Sequence, residues 1–219
     1  MFENVIRLKG DFITETLSTL YMTFMTAIIA GLIGLVLGII LVITAPGGIK
    51  ENKLLNSILD KLINLGRSIP FVIMIGIVAP LAILIVGSRI GENAAIVALV
   101  FGSFPFFARQ VESALVQVDK GIIEAALAMG DSTWDIIIGV YLKEGLPGLI
   151  RASALTLISL VGLTAMAGVV GAGGLGKLAI NVGYNRYQYD VTFVATVIIL
   201  VIVYLIQLIA NILIKKTSY

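Results

Sequence analysis

Hydrophobic positions in this chain fall in long unbroken blocks, not in the alternation of elements with one wet face. No charged residue occurs from Thr16 to Ile49, from Ser68 to Ser88, from Asn93 to Ala108, from Ala152 to Gly176 or from Val191 to Ile214. About 20 apolar residues carry a helix across the hydrocarbon core of a bilayer, so four of these blocks are long enough. The block at 93–108 is shorter and holds Gly102 and Pro105. It spans if its helix runs on past Arg109, or if neighbours shield its ends. The pattern predicts membrane-spanning helices at 17–44, 66–87, 92–115, 147–170 and 190–214. The expected fold is all-α: one transmembrane domain over residues 1–219 with about five spans.

The connections differ in character. Residues 1–16 mix charge with Phe2, Val5, Ile6 and Phe12, which suits a short amphipathic helix on the membrane surface or a frayed terminus. Segment 45–65 opens with the turn signal Pro46-Gly47-Gly48, and 116–146 is the longest polar stretch. Ten of the 15 Lys and Arg residues lie on the side of 45–65, 116–146 and the C-terminus. The positive-inside bias then predicts the N-terminus outside and the C-terminus cytoplasmic. Gly34 and Gly38 make a small-xxx-small pair in the first span. Such a pair serves close packing within the chain or a dimer face.

Composition narrows the function classes. Only 13% of the 219 residues are charged, against about 25% in soluble domains, and a chain this short could not wrap five apolar helices in polar ones. A net charge of +2 gives no reason to expect nucleic acid. There is no cysteine and no histidine, which removes disulfides, the commonest metal ligand and the usual proton relay near pH 7. A membrane-embedded hydrolase therefore lacks its obvious catalytic groups. No span centre holds the Asp, Glu or His that an ion-coupled transporter wants, although backbone carbonyls could bind sodium. No channel filter signature is visible, and an odd span number with no internal repeat argues against inverted-repeat transporters. The first apolar block is too long for the core of a cleavable signal.

The segment 116–146 carries the strongest functional signal. Lys120 to Met129 is built from good helix formers, and Gly130 is a natural stop. Ser132 with Asp135 three residues later reads as a capping box that starts a second helix. Ala125 and Ala126 give the first helix a thin face suited to the groove of another protein. Trp134, Ile136, Ile137 and Ile138 should pack the second helix back on the membrane domain. The order Glu124-Ala125-Ala126, Gly130, then a hydrophobic stretch ending in Leu146-Pro147 resembles the EAA loop of ABC-importer permeases. Lys143 stands where that pattern often has proline, which leaves the end of the second helix open.

Further segments narrow the resemblance: Arg67-Ser68-Ile69-Pro70-Phe71, Ala94-Ala95-Ile96-Val97, Pro105 to Glu112, Gly171 to Gly176, and Gly183-Tyr184. In this order, from about residue 14 to the C-terminus, the chain is similar to the permease subunits of the methionine-uptake ABC importer family. The resemblance implies a bacterial cell-membrane permease that does no chemistry and works as a homodimer. It also implies two ATP-binding subunits that hold ATP and magnesium, an extracytoplasmic substrate-binding protein, and no cofactor in this chain. Glu124, Ala125, Ala126, Met129 and Gly130 would then couple to the ATPase. The fourth span would border the translocation path, with Met166 as an apolar gate residue beside Thr164, Ser159 and Thr156. Ordinary packing for Met166, and back-bonding to carbonyls for Thr156 and Ser159, are the plainer alternatives. Gln207 and Asn211 share a helix face and suit interhelical contacts. Methionine as cargo rests on the resemblance alone, and another amino acid or small solute is the nearest alternative.

Gly171-Ala172-Gly173-Gly174-Leu175-Gly176-Lys177 satisfies G-x-G-x-x-G and nearly satisfies a P-loop. A nucleotide reading fails because Leu178 replaces the magnesium-binding hydroxyl and no strand precedes the motif. These glycines instead suit a tight turn at the mouth of the translocation path, or a flexible hairpin.

Overall fold

The computed structural model describes residues 2–217, and helix dominates them. A short helix α1 (Glu3–Arg7) leads through Leu8 into α2 (Lys9–Thr44). The first span is therefore one continuous helix of 36 residues. No separate surface helix reaches residue 16, because Thr14 and Thr16 return their hydroxyls to carbonyls four residues back and no Pro or Gly pair interrupts the register.

After the Pro46–Gly48 turn come α3 (Lys53–Ser68) and α4 (Phe71–Val86). The expected span at 66–87 is thus broken. Pro70 has no N–H to continue the helix and disfavours helical backbone at the residue before it. Helix α4 has 16 residues, about 24 Å of rise, short of a ~30 Å core. Among the described residues four helices are long and apolar enough to cross a membrane, or five if the broken pair counts as one span. Helix α5 (Glu92–Leu115) is the most enclosed, with 61% of its apolar stretch buried. Then follow α6 (Lys120–Ala128), α7 (Thr133–Asp135), a wide π turn at Ile136–Tyr141, α8 (Leu142–Glu144) and α9 (Leu146–Ala167). Wide helical turns at Gly168–Ala172 and Lys177–Tyr184 lead to α10 (Tyr189–Thr217), which is only 11% buried and exposes Gln207 and Asn211.

The contacts divide the chain into two compact units. The first comprises Met1–Ile29, Ile69–Ser103 and Leu157–Gln207; the second comprises Ala30–Ser68, Phe104–Thr156 and Leu208–Tyr219. In the first unit Phe12, Leu175, Leu178, Val191 and Ala195 form the core, joining α2 to the glycine loop and α10. In the second unit Val42, Phe107, Val111, Leu115, Ile136, Val140 and Tyr141 form the core. There the pair Gly34 and Gly38 faces α5. A Cβ at Gly34 would lie 2.8 Å from Phe107, and one at Gly38 would lie 2.6 Å from Val111. These glycines serve packing inside the chain, and the close approach gives dispersion contact that water-driven association would supply elsewhere.

Candidate functional site

Two arrangements of side chains stand out, one in each unit. In the second unit Asp119 caps α6, its carboxylate accepting from the N–H groups of Gly121 and Ile122. The helix ends at Met129, and Gly130 takes φ +86°, a conformation that suits glycine best. Ser132 then begins α7 with a complete capping box. Its hydroxyl accepts from the Asp135 N–H at 3.3 Å, and the Asp135 carboxylate accepts from the Ser132 N–H at 3.2 Å. The loop therefore satisfies its helix ends with its own side chains.

Its faces divide cleanly. Ala126 is 3% exposed and joins the core with Ile123 beside it. The expected thin face of two alanines is therefore half internal: Ala125 is exposed, and Ala126 anchors α6 against the spans. Glu124, Ala125, Met129 and Gly130 remain exposed, Met129 at 76%. Ile136 and Ile137 bury as expected, joined by Val140 and Tyr141, whereas Trp134 at 71% and Ile138 at 62% point outward. Leu142–Glu144 continues helically through Lys143, so no proline is needed for α9 to start at Leu146.

In the first unit the glycine run holds an anion, and the anion belongs to the chain itself. The Glu15 carboxylate accepts from the Gly174 N–H at 2.5 Å and pairs with Lys177 Nζ at 2.5 Å. The Thr19 hydroxyl accepts from the Leu175 N–H at 2.8 Å and donates to the Glu15 carbonyl at 3.0 Å. A P-loop-like lysine and backbone N–H thus close on α2, which explains the motif without any nucleotide. The run is pinned, not a loose hairpin. A Cβ at Gly176 would run into the Ala165 carbonyl, so the close approach excludes every other residue there. Beside this latch opens a cleft of about 800 Å³ lined by Glu15, Glu92, Asn93, Lys177, Asn181 and Arg186, which presents both charge signs. Ser18 donates to Glu92 at its wall.

The four residues expected along the path separate. Thr156 and Thr164 are buried, and their hydroxyls donate to the carbonyls of Ala152 and Val161 at 2.8 Å each. Ser159 and Met166 are exposed, seven residues apart on one face of α9. Glu15, Thr19 and Glu92 were missed by sequence reasoning, and Lys177 was read there only as the end of the glycine motif. The signal available was Glu15 itself, a carboxylate one residue before a 34-residue charge-free run.

Residues 32–219 match the sequence profile of the binding-protein-dependent transport system inner membrane component. The chain belongs to this family. A probable D-methionine transport system permease protein of Pasteurella multocida is 44% identical over 193 residues, covering 88% of this chain and 89% of that one. A methionine import system permease protein of Bacillus subtilis is 48% identical over 174 residues, covering 80% and 78%. A chain of the inward-facing MetNI methionine ABC transporter superposes with a TM-score of 0.95 at 40% identity, each chain covered in full. An amino acid ABC transporter chain crystallised with histidines shares the fold at a TM-score of 0.80 and 18% identity. The protein is a multi-pass membrane permease of the ABC-importer class.

Proposed function

We propose that this permease is the non-catalytic, membrane-spanning subunit of an ATP-driven methionine importer. It works as a homodimer with two ATP-binding subunits and an extracytoplasmic binding protein. The observation that carries this reading is the end-to-end likeness to a methionine transporter chain at 40% identity. The loop at 119–135 supports the coupling role: its helix ends are capped by its own side chains, yet Glu124, Ala125, Met129 and Trp134 stay uncovered. In this reading that loop faces the cytoplasm, docks on the ATPase, and carries ATP-driven closure to the spans through Ala126. The N-terminus is outside and the C-terminus inside, as the Lys and Arg bias supports.

Of the four residues expected along the path, Ser159 and Met166 are exposed and would line it, with Met166 as a flexible apolar plug. Thr156 and Thr164 keep their hydroxyls on their own helix. The mixed-charge cleft beside the glycine latch suits a zwitterionic amino acid. Alternating access requires ATP and cargo to bind the two states with different free energies.

The test is co-expression with the ATP-binding subunit, purification in lipid, and ATPase rates with the methionine-loaded binding protein. A complex with two copies of each subunit, stimulated by that loaded protein, is the expected result. Stimulation by a binding protein loaded with another amino acid, and not with methionine, reassigns the cargo. Purification of the chain alone, with uptake driven by an ion gradient without ATP, overturns the importer reading.

A further inference from the structure

Helix α3 has an apolar arc wider than the protein covers. Leu59 and Ile63 bury against Leu37, Leu41 and Ala108. Leu54, Leu55, Ile58, Leu62 and Leu65 continue the same arc on the helical wheel and are all exposed, Leu62 at 58%. The remaining arc is polar, with Lys53, Ser57, Lys61 and Asn64. Asp60 is the only acid in α3, and Arg109 takes it at 2.6 Å. Arg109 also donates to Asn64 at 3.1 Å. Lys61 and Arg67 have no ion pair among the described residues, so the free charge on α3 is positive. Lys61 stands one helical turn from both Ile58 and Leu65, so its ammonium borders the exposed row.

The start of α3 is fixed at the end of a membrane-spanning helix. Asn56 Nδ2 donates to the Leu41 carbonyl at 2.8 Å and to the Thr44 hydroxyl at 3.2 Å, in the last turn of α2. That turn is where the charge-free run gives way to Lys50, the depth at which acyl chains give way to headgroups. An amphipathic helix with a leucine row bordered by Lys61 at this depth has the polarity of an interfacial helix.

We infer that α3 lies along the bilayer interface and binds anionic phospholipid, with Leu54, Ile58, Leu62 and Leu65 in the acyl boundary and Lys61 on headgroup phosphate. Charge selects this occupant over a second copy of the chain, which would bring the same unpaired cations, whereas lipid phosphates neutralise them. Lysine and arginine stems can follow apolar surface and still reach the phosphates.

The chain has one tryptophan, so Leu62→Trp with Trp134→Phe gives a single reporter on the exposed row. Ile58→Trp in the same background is the second reporter should the first fold poorly. The full-length protein is reconstituted in vesicles of brominated phosphatidylcholine or brominated phosphatidylglycerol, and quenching is compared. Strong quenching by both lipids is expected, with preference for phosphatidylglycerol. Lys61→Gln should lower that preference about fivefold. Absence of quenching at both reporters means that protein covers the row, and the proposal fails. Quenching with equal affinity for the two lipids overturns the anionic-lipid site.

Discussion

The runs Gly171–Lys177 and Asp119–Asp135 both interrupt helices with glycines at positive φ, yet their polar groups go to different places. The first sends a backbone N–H and a lysine to Glu15 and another N–H to Thr19, more than 150 positions away in sequence. The second closes on itself, with Asp119, Ser132 and Asp135 all bonded within three residues. A loop tied to a distant helix is held by that helix's position. A loop whose polar groups close locally, and whose inner face packs through Ala126 on the spans, leaves its outer face open to a partner. Stability should therefore concentrate in the glycine latch, and partner binding in the capped loop.

The harshest way to break the latch is Gly176→Ala. The added Cβ meets the carbonyl, Cα and carbonyl carbon of Ala165, and backbone cannot swing aside as a side chain can. The cost should reach or pass the upper end of the ~1–3 kcal/mol typical of overpacking. It is read as a lowered thermal unfolding midpoint of the purified chain in lipid. An unchanged midpoint would show that the two segments separate freely, and the latch would lose its structural meaning.

Glu15 comes next. Glu15→Ala leaves the Gly174 N–H without its acceptor, a loss of about 1–3 kcal/mol for a buried donor. Lys177 is 47% exposed, so water screens its share of the pair. Glu15→Gln keeps an acceptor for the Gly174 N–H and should recover most of the loss. Hydrogen exchange at Gly174 and Leu175 separates the two contributions. Equal deprotection in both variants would assign the latch to the ion pair instead. Ser132→Ala removes half of the capping box and should cost about 1 kcal/mol. Its effect on exchange should stay within Asp119–Tyr141 and leave the Gly174 and Leu175 amides unchanged. Spread into the latch would contradict the separation between the two loops.

What could be read from the sequence follows the same division. Ser132, Asp135 and Gly130 act through neighbours within a few positions, so their roles were legible from spacing, and the capping box is found in full. The long charge-free blocks were legible because one bilayer thickness sets their length. The break at Pro70 was softened by the apolar residues around it, and the start of α2 at Lys9 lay hidden behind Asp11 and Glu15, charges that a helix end tolerates. The latch was not legible because Glu15 and Gly174 are joined only by the fold. The split between Ala125 and Ala126 depends on the rotation of α6 about its axis, which adjacent alanines do not reveal. The same holds for α9, where rotation buries Thr156 and Thr164 and exposes Ser159 and Met166.

That rotation of α6 yields the variant with the smallest effect on the chain's own stability. Glu124→Arg combined with Met129→Asp changes two exposed side chains with no hydrogen bond or ion pair within the described residues. Surface changes of this kind stay within about ±0.5 kcal/mol. The unfolding midpoint should therefore hold while co-purification with the ATP-binding subunit is lost, because a charge is reversed and the most exposed methionine of the loop becomes charged. Ala126→Leu is the counterpart. It forces volume into the core beside Ile123 and should lower stability by about 1–3 kcal/mol without touching the open face. If the double variant still binds the ATPase and Ala126→Leu does not, binding reads the loop's position instead of its surface. The comparison would then reverse, and the capped loop, like the latch, would act by where it is held.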